Sequence, residues 1–231
     1  MFFPYRDDNP TFTIPYVTIG LIVLNVLIFL IISAGGIRIY RFSVINYGLI
    51  PVELVHLQNF DPSTAIPPVA NLITALFIHG GFLHLAGNMW FLWIFGDNVE
   101  DRLGHFRYLI FYILAGIAAS LLHVAFFPES TAPVIGASGA ISGVLGAYAV
   151  LYPHARVRTF VFIFFFFTTI MVPAAIFIGI WILFQVVSGL LSLGTAGSGG
   201  VAWFAHLGGF LFGLYGLRLF TGKKTLLRQA D

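Results

Sequence analysis

Residues 159–217 contain no Asp, Glu, Lys or Arg. That run decides the solvent, because a water-soluble domain carries about 25% charged residues spread along its length. The whole chain of 231 residues is 9% charged, 59% hydrophobic and 17% aromatic. A soluble fold of this size has too little interior to hide so much apolar surface. The chain therefore reads as a membrane protein. Its spans read as helices, since every backbone N–H and C=O must be satisfied within lipid. Cysteine is absent, which excludes disulfides and thiolate metal sites.

Apolar length and charge punctuation place six spans. The first is residues 14–34, long enough to cross about 30 Å of hydrocarbon and too long for a signal-peptide core. The second runs from residue 81 to 95 and on toward Glu100, the third over 108–127, and the fourth over 137–152. The run 160–191 is too long for one perpendicular crossing, and Pro173 divides it into an interfacial stretch and a fifth span. The sixth is 202–219. No cleavable leader or Arg-rich presequence is evident in the first residues.

Six spans put both termini on one side. That side would hold Arg6, Arg102, Arg107, Arg156, Arg158, Arg218, Lys223, Lys224 and Arg228, and the other only Arg38 and Arg41. The positive-inside rule makes the richer side cytoplasmic, or the matrix side if the membrane is mitochondrial. Residues 1–13 and 221–231 are then cytoplasmic tails. Residues 35–80 form a long outer loop, too rich in Pro and polar groups to span. Its apolar clusters, 47–50 and 72–73, predict a segment resting on or dipping into the outer leaflet.

This topology brings polar residues from three separate spans to one layer. His84, Ser138 and His206 lie near the outer ends of spans two, four and six, each within roughly 10 Å of its end at 1.5 Å rise per residue. Ionisable and polar groups in lipid are costly and point to function. Asn88 shares a helix face with His84, four residues on. Small residues recur every fourth position: Gly139, Gly143 and Ala147 on span four, Ala205, Gly209 and Gly213 on span six. Such stripes let helix backbones approach closely. A close crossing of these two helices predicts that Ser138 and His206 come within hydrogen-bonding reach.

Three motifs sit on this scaffold: His84-Leu85-Ala86-Gly87-Asn88, Gly136-Ala137-Ser138-Gly139, and residues 205–213, which read AHLGGFLFG. Together with His79, Glu100, Gly104 and Arg107, in this order and at this spacing, they resemble the rhomboid-family intramembrane serine proteases. The resemblance covers nearly the whole chain. It implies an all-α, polytopic bundle of six transmembrane helices forming one domain, and a Ser–His dyad that cleaves membrane-anchored proteins within or beside the bilayer. It implies no cofactor, metal or nucleotide, and no nucleic-acid partner.

On that reading Ser138 is the nucleophile and His206 the base that later protonates the leaving amine. His84, Asn88 and the Ser138 backbone N–H would hold the oxyanion. Gly136, Gly139, Gly143, Gly209 and Gly213 serve close packing. No Asp or Glu lies in the outer halves of spans two, four or six, so imidazole orientation falls to packing and neutral hydrogen bonds. Ser142 departs from the pattern of members that carry an aromatic residue four after the nucleophile. His79 is expected to orient the long loop, Glu100 and Arg107 to pin the inner loop by charge pairing. His56, His105, His123 and His154 are expected at interfaces or in loops.

Phe177 and Trp181 share a face of span five, and Trp90 and Phe91 follow Asn88 on span two. By analogy with the family, Phe91, Phe177 and Trp181 form a lateral gate; the plain reading is a lipid-facing surface, which also suits the aromatic run 162–167. A zinc protease would need His-Glu-x-x-His, and an aspartyl type would need two intramembrane carboxylates; neither is present. The alternative is a non-catalytic member of the same superfamily that binds membrane clients. A channel would line a path with polar residues at several depths rather than in one layer. The expected location is a bacterial or archaeal plasma membrane.

Overall fold

The computed structural model describes residues 2–61, 64, 66–163, 166–193 and 200–221. The three lysine and arginine positions of the tail, Lys223, Lys224 and Arg228, lie outside the described residues. So do Pro62 of the long loop and residues 164–165 of the aromatic run.

Six apolar helices build the bundle: α1 (Tyr16–Ala34), α5 (Phe82–Leu103), α6 (His105–Phe126), α7 (Ser138–Leu151), α8 (Ala174–Ser192) and α9 (Trp203–Gly216), with α2 (Gly36–Tyr47), α3 (Pro51–His56) and α4 (Asn71–Thr74) between the first two. Among the described residues α1, α6 and α8 are each long and apolar enough to cross a membrane. A fourth crossing is available if the segment Pro68–Phe77 and α5, bent by 83°, act as one. α7 and α9 are 14 residues each. At 1.5 Å per residue they reach only about 21 Å, short of a full hydrocarbon core. The expected boundaries of the six helices hold to within a few residues, while length and composition qualify three or four of them as spans.

α7 is the central element. Residues 139–148 are buried on every face, as an apolar helix enclosed by others must be. It packs against α9, α6, α5 and α8. Its crossing with α9 is backbone on backbone. A methyl group on Gly209 would collide with the Gly139 carbonyl oxygen, and one on Gly213 with that of Gly143. Gly143 in turn faces the Gly209 carbonyl at 3.1 Å from where its own Cβ would stand. The two stripes thus mesh one helical turn at a time. α9 also presses on α6, where Gly208 lies against Leu122 and the Ala118 carbonyl.

Glu100 explains how α1, α5 and α6 are tied. Its buried carboxylate accepts from the backbone N–H groups of Val17 (2.8 Å) and Thr18 (2.7 Å) at the start of α1. Those donors have no partner within their own helix, and the helix dipole favours the negative charge there. The same carboxylate lies 2.6 Å from His105 Nδ1. His105, expected at an interface or loop, opens α6 and is hydrogen-bonded to Glu100.

The expected all-helical fold is corrected by a three-stranded antiparallel sheet in the order β1 (Phe2–Asp7), β2 (Arg156–Ile163), β3 (Phe166–Pro173). Pro173 does divide the long apolar run, with α8 starting at the next residue, and the stretch before it forms two antiparallel strands. β-Branched and aromatic residues favour strands, and the pairing with β1, Phe3 opposite Phe160 and Asp7 opposite Val157, satisfies one edge of it. The N-terminal tail expected over residues 1–13 is therefore partly a strand. It is pinned to the bundle by Trp90, whose indole N–H donates to the Pro4 carbonyl at 2.6 Å. Tyr148 of α7 donates to Asp7 Oδ2 at 2.6 Å and accepts from Asn9 at 2.7 Å. Burial pushes the Asp7 carboxyl up to about 6, against the lowering effect of the Tyr148 hydrogen bond and with the repulsion of Asp97 and Asp8.

The long loop is also more structured than expected. Leu49 and Leu72 are buried in a second apolar cluster with Ala75 and Val124, so part of each apolar cluster of the loop packs against the protein, while Ile73 stays exposed. Exposed apolar residues remain on α2, among them Ile37, Phe42 and Ile45. The loop straps the segment leading into α7. Leu49 and Val134 exchange both backbone hydrogen bonds (3.0 and 2.8 Å), and Gly136 N–H donates to the Ala75 carbonyl at 2.9 Å.

Candidate functional site

Gly136 adopts φ +119°, a region closed to most side chains. That turn aims the backbone into α7 and leaves no room for a side chain, because a methyl group on Gly136 would lie 2.7 Å from His84 Nε2 and 3.6 Å from Asn88 Nδ2. α5 therefore delivers both nitrogens to the spot just ahead of Ser138. The His84 tautomer follows from its other contact. Gly80 N–H donates to His84 Nδ1 at 3.3 Å, so Nδ1 is an acceptor and the ring proton sits on Nε2, facing Gly136. Asn88 Nδ2 is buried with no hydrogen-bond partner. An orphan donor of this kind costs about 1–3 kcal/mol, and it points at the same place.

Ser138 opens α7, and its hydroxyl lies 2.8 Å from His206 Nε2 on α9. The meshed glycines of the α7–α9 crossing set this separation: Gly209 sits one turn after Ala205 and three residues after His206. The other imidazole nitrogen, Nδ1, lies 2.7 Å from Gln185 Oε1 on α8. The Gln185 amide nitrogen donates to the Trp181 carbonyl at 3.2 Å, a partner that can only accept, so the amide oxygen is the atom presented to His206. The imidazole then donates through Nδ1, leaving Nε2 to accept from the Ser138 hydroxyl. A hydroxyl hydrogen-bonded to the free lone pair of an oriented neutral imidazole is an arrangement able to pass a proton.

Ser142, four residues after Ser138, makes no hydrogen bond to His206. Its hydroxyl donates to the Ser138 carbonyl at 2.6 Å, within α7. Aromatic support comes from α8 and α9: the Trp181 and Trp203 rings lie 5.8 and 6.3 Å from that of His206. The motifs did not single out Gln185, although a signal was there. It is the one Asn or Gln in the charge-free run 159–217, four residues after Trp181, and an amide in an apolar helix needs a partner.

These groups open into a cavity of about 990 Å³, lined by His84, Asn88, Ser138, Trp181 and His206 among others. His123, expected at an interface or in a loop, is on α6 and lines it too. His79 is buried and packs edge-on against His84, with ring centroids 5.2 Å apart. Of the three aromatic residues set down for a gate, Phe91 and Phe177 meet across α5 and α8 at 6.0 Å, and Phe177 also stacks on Phe95 at 6.3 Å. Trp181 lies beside the histidine and lines the same cavity as Phe91. Among the described residues no three His, Cys, Asp or Glu side chains gather as a metal site.

Apolar helices of crossing length around a short buried helix define an integral membrane protein. The Rhomboid domain family matches residues 68–222, which contain every residue of the polar cluster, and the chain belongs to the rhomboid family. It is similar to Rhomboid protein 1, mitochondrial, of Saccharomyces cerevisiae, 35% identical over 153 residues, which make up 63% of this chain and 40% of that protein. It is also similar to Rhomboid protease GluP of Bacillus subtilis, 32% identical over 143 residues, 62% of this chain and 25% of that one. RHOMBOID-like protein 6, mitochondrial, of Arabidopsis thaliana is 40% identical over 76 residues, a third of this chain. The chain thus spans well under half the length of these relatives.

Proposed function

We propose that this protein is an intramembrane serine endopeptidase that cleaves transmembrane or membrane-anchored proteins through a Ser138–His206 dyad. The observation that carries this reading is the 2.8 Å contact between the Ser138 hydroxyl and His206 Nε2, made at the cavity where two donors from α5 converge. The name of the Bacillus relative, a protease, supports it.

His206 Nε2 takes the Ser138 proton as the hydroxyl oxygen attacks the substrate carbonyl carbon. The carbonyl oxygen gains the negative charge and is held by Asn88 Nδ2, His84 Nε2–H and the Ser138 backbone N–H, at the positive end of α7. His206 then gives its proton to the leaving amine as the C–N bond breaks. A water molecule, deprotonated by the same imidazole, hydrolyses the acyl-serine. No protein group accepts from Asn88 Nδ2, so it is free to donate to the oxyanion as the charge develops.

In this reading all six apolar helices cross the membrane, with the short α7 ending below the surface so that water reaches Ser138 from the outer side. Both termini face the side rich in Arg and Lys. The Phe91–Phe177 contact closes the space between α5 and α8, the lateral route by which a substrate helix reaches the cavity.

Reaction with a fluorophosphonate probe tests the function. Labelling is expected for the wild type and abolished in Ser138→Ala and His206→Ala. Labelling that survives loss of Ser138 would refute the assignment, and a folded wild type that neither labels nor cleaves would make the chain a client-binding member of its family.

A further inference from the structure

We infer that Gln185 is the positioning residue for His206, doing with a neutral amide what a carboxylate does in a three-residue serine protease site. The inference rests on the proposed dyad and extends it to a residue on a third helix. Three observations meet at this point. Gln185 is 4% exposed, so its amide needs partners inside the protein. Its two polar atoms are each engaged, Nε2 on the Trp181 carbonyl and Oε1 on His206 Nδ1. The second contact fixes the tautomer in which Nε2 bears the lone pair toward Ser138.

The choice of amide over carboxylate follows from the surroundings. The run 159–217 has no charge of either sign, and an ionised carboxylate without a positive partner is far more costly to bury than a hydrogen-bonded amide. Glutamine keeps the acceptor oxygen at that lower cost. When His206 becomes charged during acyl transfer, the Nδ1–H to Oε1 bond becomes charge-assisted and strengthens, which favours the transition state over the resting state. The residue four after Ser138 is a serine that bonds within its own helix, so no ring at that position supports His206. Gln185, with Trp181 one turn earlier, supplies the orientation from α8. The helix that bears Phe177 at the proposed entry route therefore also sets the proton-accepting nitrogen.

The test uses the full chain in detergent and a fluorophosphonate, with labelling followed to saturation so that affinity (KI) and chemistry (kinact) separate. Gln185→Met keeps the length of the side chain and removes the acceptor. Its kinact is expected to fall roughly ten- to hundred-fold, the range for losing a hydrogen bond to a charged group, with KI unchanged. Gln185→Glu retains the acceptor and is expected to restore kinact to within a few-fold, with the acid limb of its pH–rate profile moved to higher pH. Wild-type kinact in Gln185→Met, or equal impairment of both variants in folded protein, would overturn the inference. A measurement on the unaltered protein stands even if Gln185→Met does not fold. The ¹⁵N shifts of His206 should show a protonated Nδ1 and an unprotonated Nε2, and the opposite tautomer would overturn it too. Ser138-independent labelling would instead sink the dyad itself, so the two failures are distinct.

Discussion

Replacing Gly209 with alanine tests whether the α7–α9 crossing holds the dyad. The new methyl carbon would stand 2.9 Å from the Gly139 carbonyl carbon and closer still to its oxygen. Carbon atoms at rest sit about 3.5–4.0 Å apart, so the helices must part by about 1 Å. Neither neighbour is a flexible side-chain tip; both belong to the α7 backbone, one residue beyond Ser138. His206 is three residues before Gly209 on the rigid α9. A 1 Å retreat would stretch its 2.8 Å contact with the Ser138 hydroxyl beyond hydrogen-bonding range. Misplacement of that size costs about a hundredfold in rate. Overpacking is expected to cost about 1–3 kcal/mol of stability, offset in part by the better helix propensity of alanine, up to about 1 kcal/mol. Gly179→Ala is the control, because nothing lies within 4 Å of its added methyl, and it should be neutral or stabilising by up to about 1 kcal/mol. Thermal unfolding in detergent and the fluorophosphonate rate read both variants. A Gly209→Ala protein with wild-type stability and wild-type labelling would refute the claim that this backbone contact positions the histidine.

Asn88→Ala should lower the rate of substrate cleavage by about 10²- to 10³-fold, as loss of one oxyanion donor does, while thermal stability is unchanged or improved because a buried unpartnered donor is removed; a steady-state assay with unchanged kcat would contradict the role. Phe177→Ala should speed cleavage of a membrane-embedded substrate more than it alters fluorophosphonate labelling, since it widens the α5–α8 route without touching the dyad; equal or slower cleavage by folded protein would count against lateral entry. Asp7 has its carboxyl raised from 3.8 to about 6 in the folded protein. The native state therefore binds the extra proton between these values, and this group's contribution to stability is full below about pH 4 and is lost as pH rises to about 6, a change of roughly 3 kcal/mol at most. Unfolding measured from pH 4 to 7 should show that downward slope in wild type and a flatter one in Asp7→Asn.

The amino-acid sequence by itself determined the solvent, the helices and the chemistry-bearing residues. A charge-free run as long as residues 159–217 marks the chain as a membrane protein, and the low dielectric of lipid makes Ser138, His84 and His206 stand out. The glycine stripes anticipated the α7–α9 approach because the period of a helix puts every fourth residue on one face. Tertiary structure alone decided three things. β1 pairs with β2 across some 150 positions of sequence, and an apolar run destined for a strand has the same composition as one destined for lipid. The long loop straps Gly136 through backbone hydrogen bonds from Leu49 and Ala75, and such bonds leave no mark on side-chain pattern. Finally, Gln185 meets His206 only because α8 leans on α9. A lone amide advertises that it needs a partner, but which of many buried groups it finds is set by the packing of helices far apart in the chain.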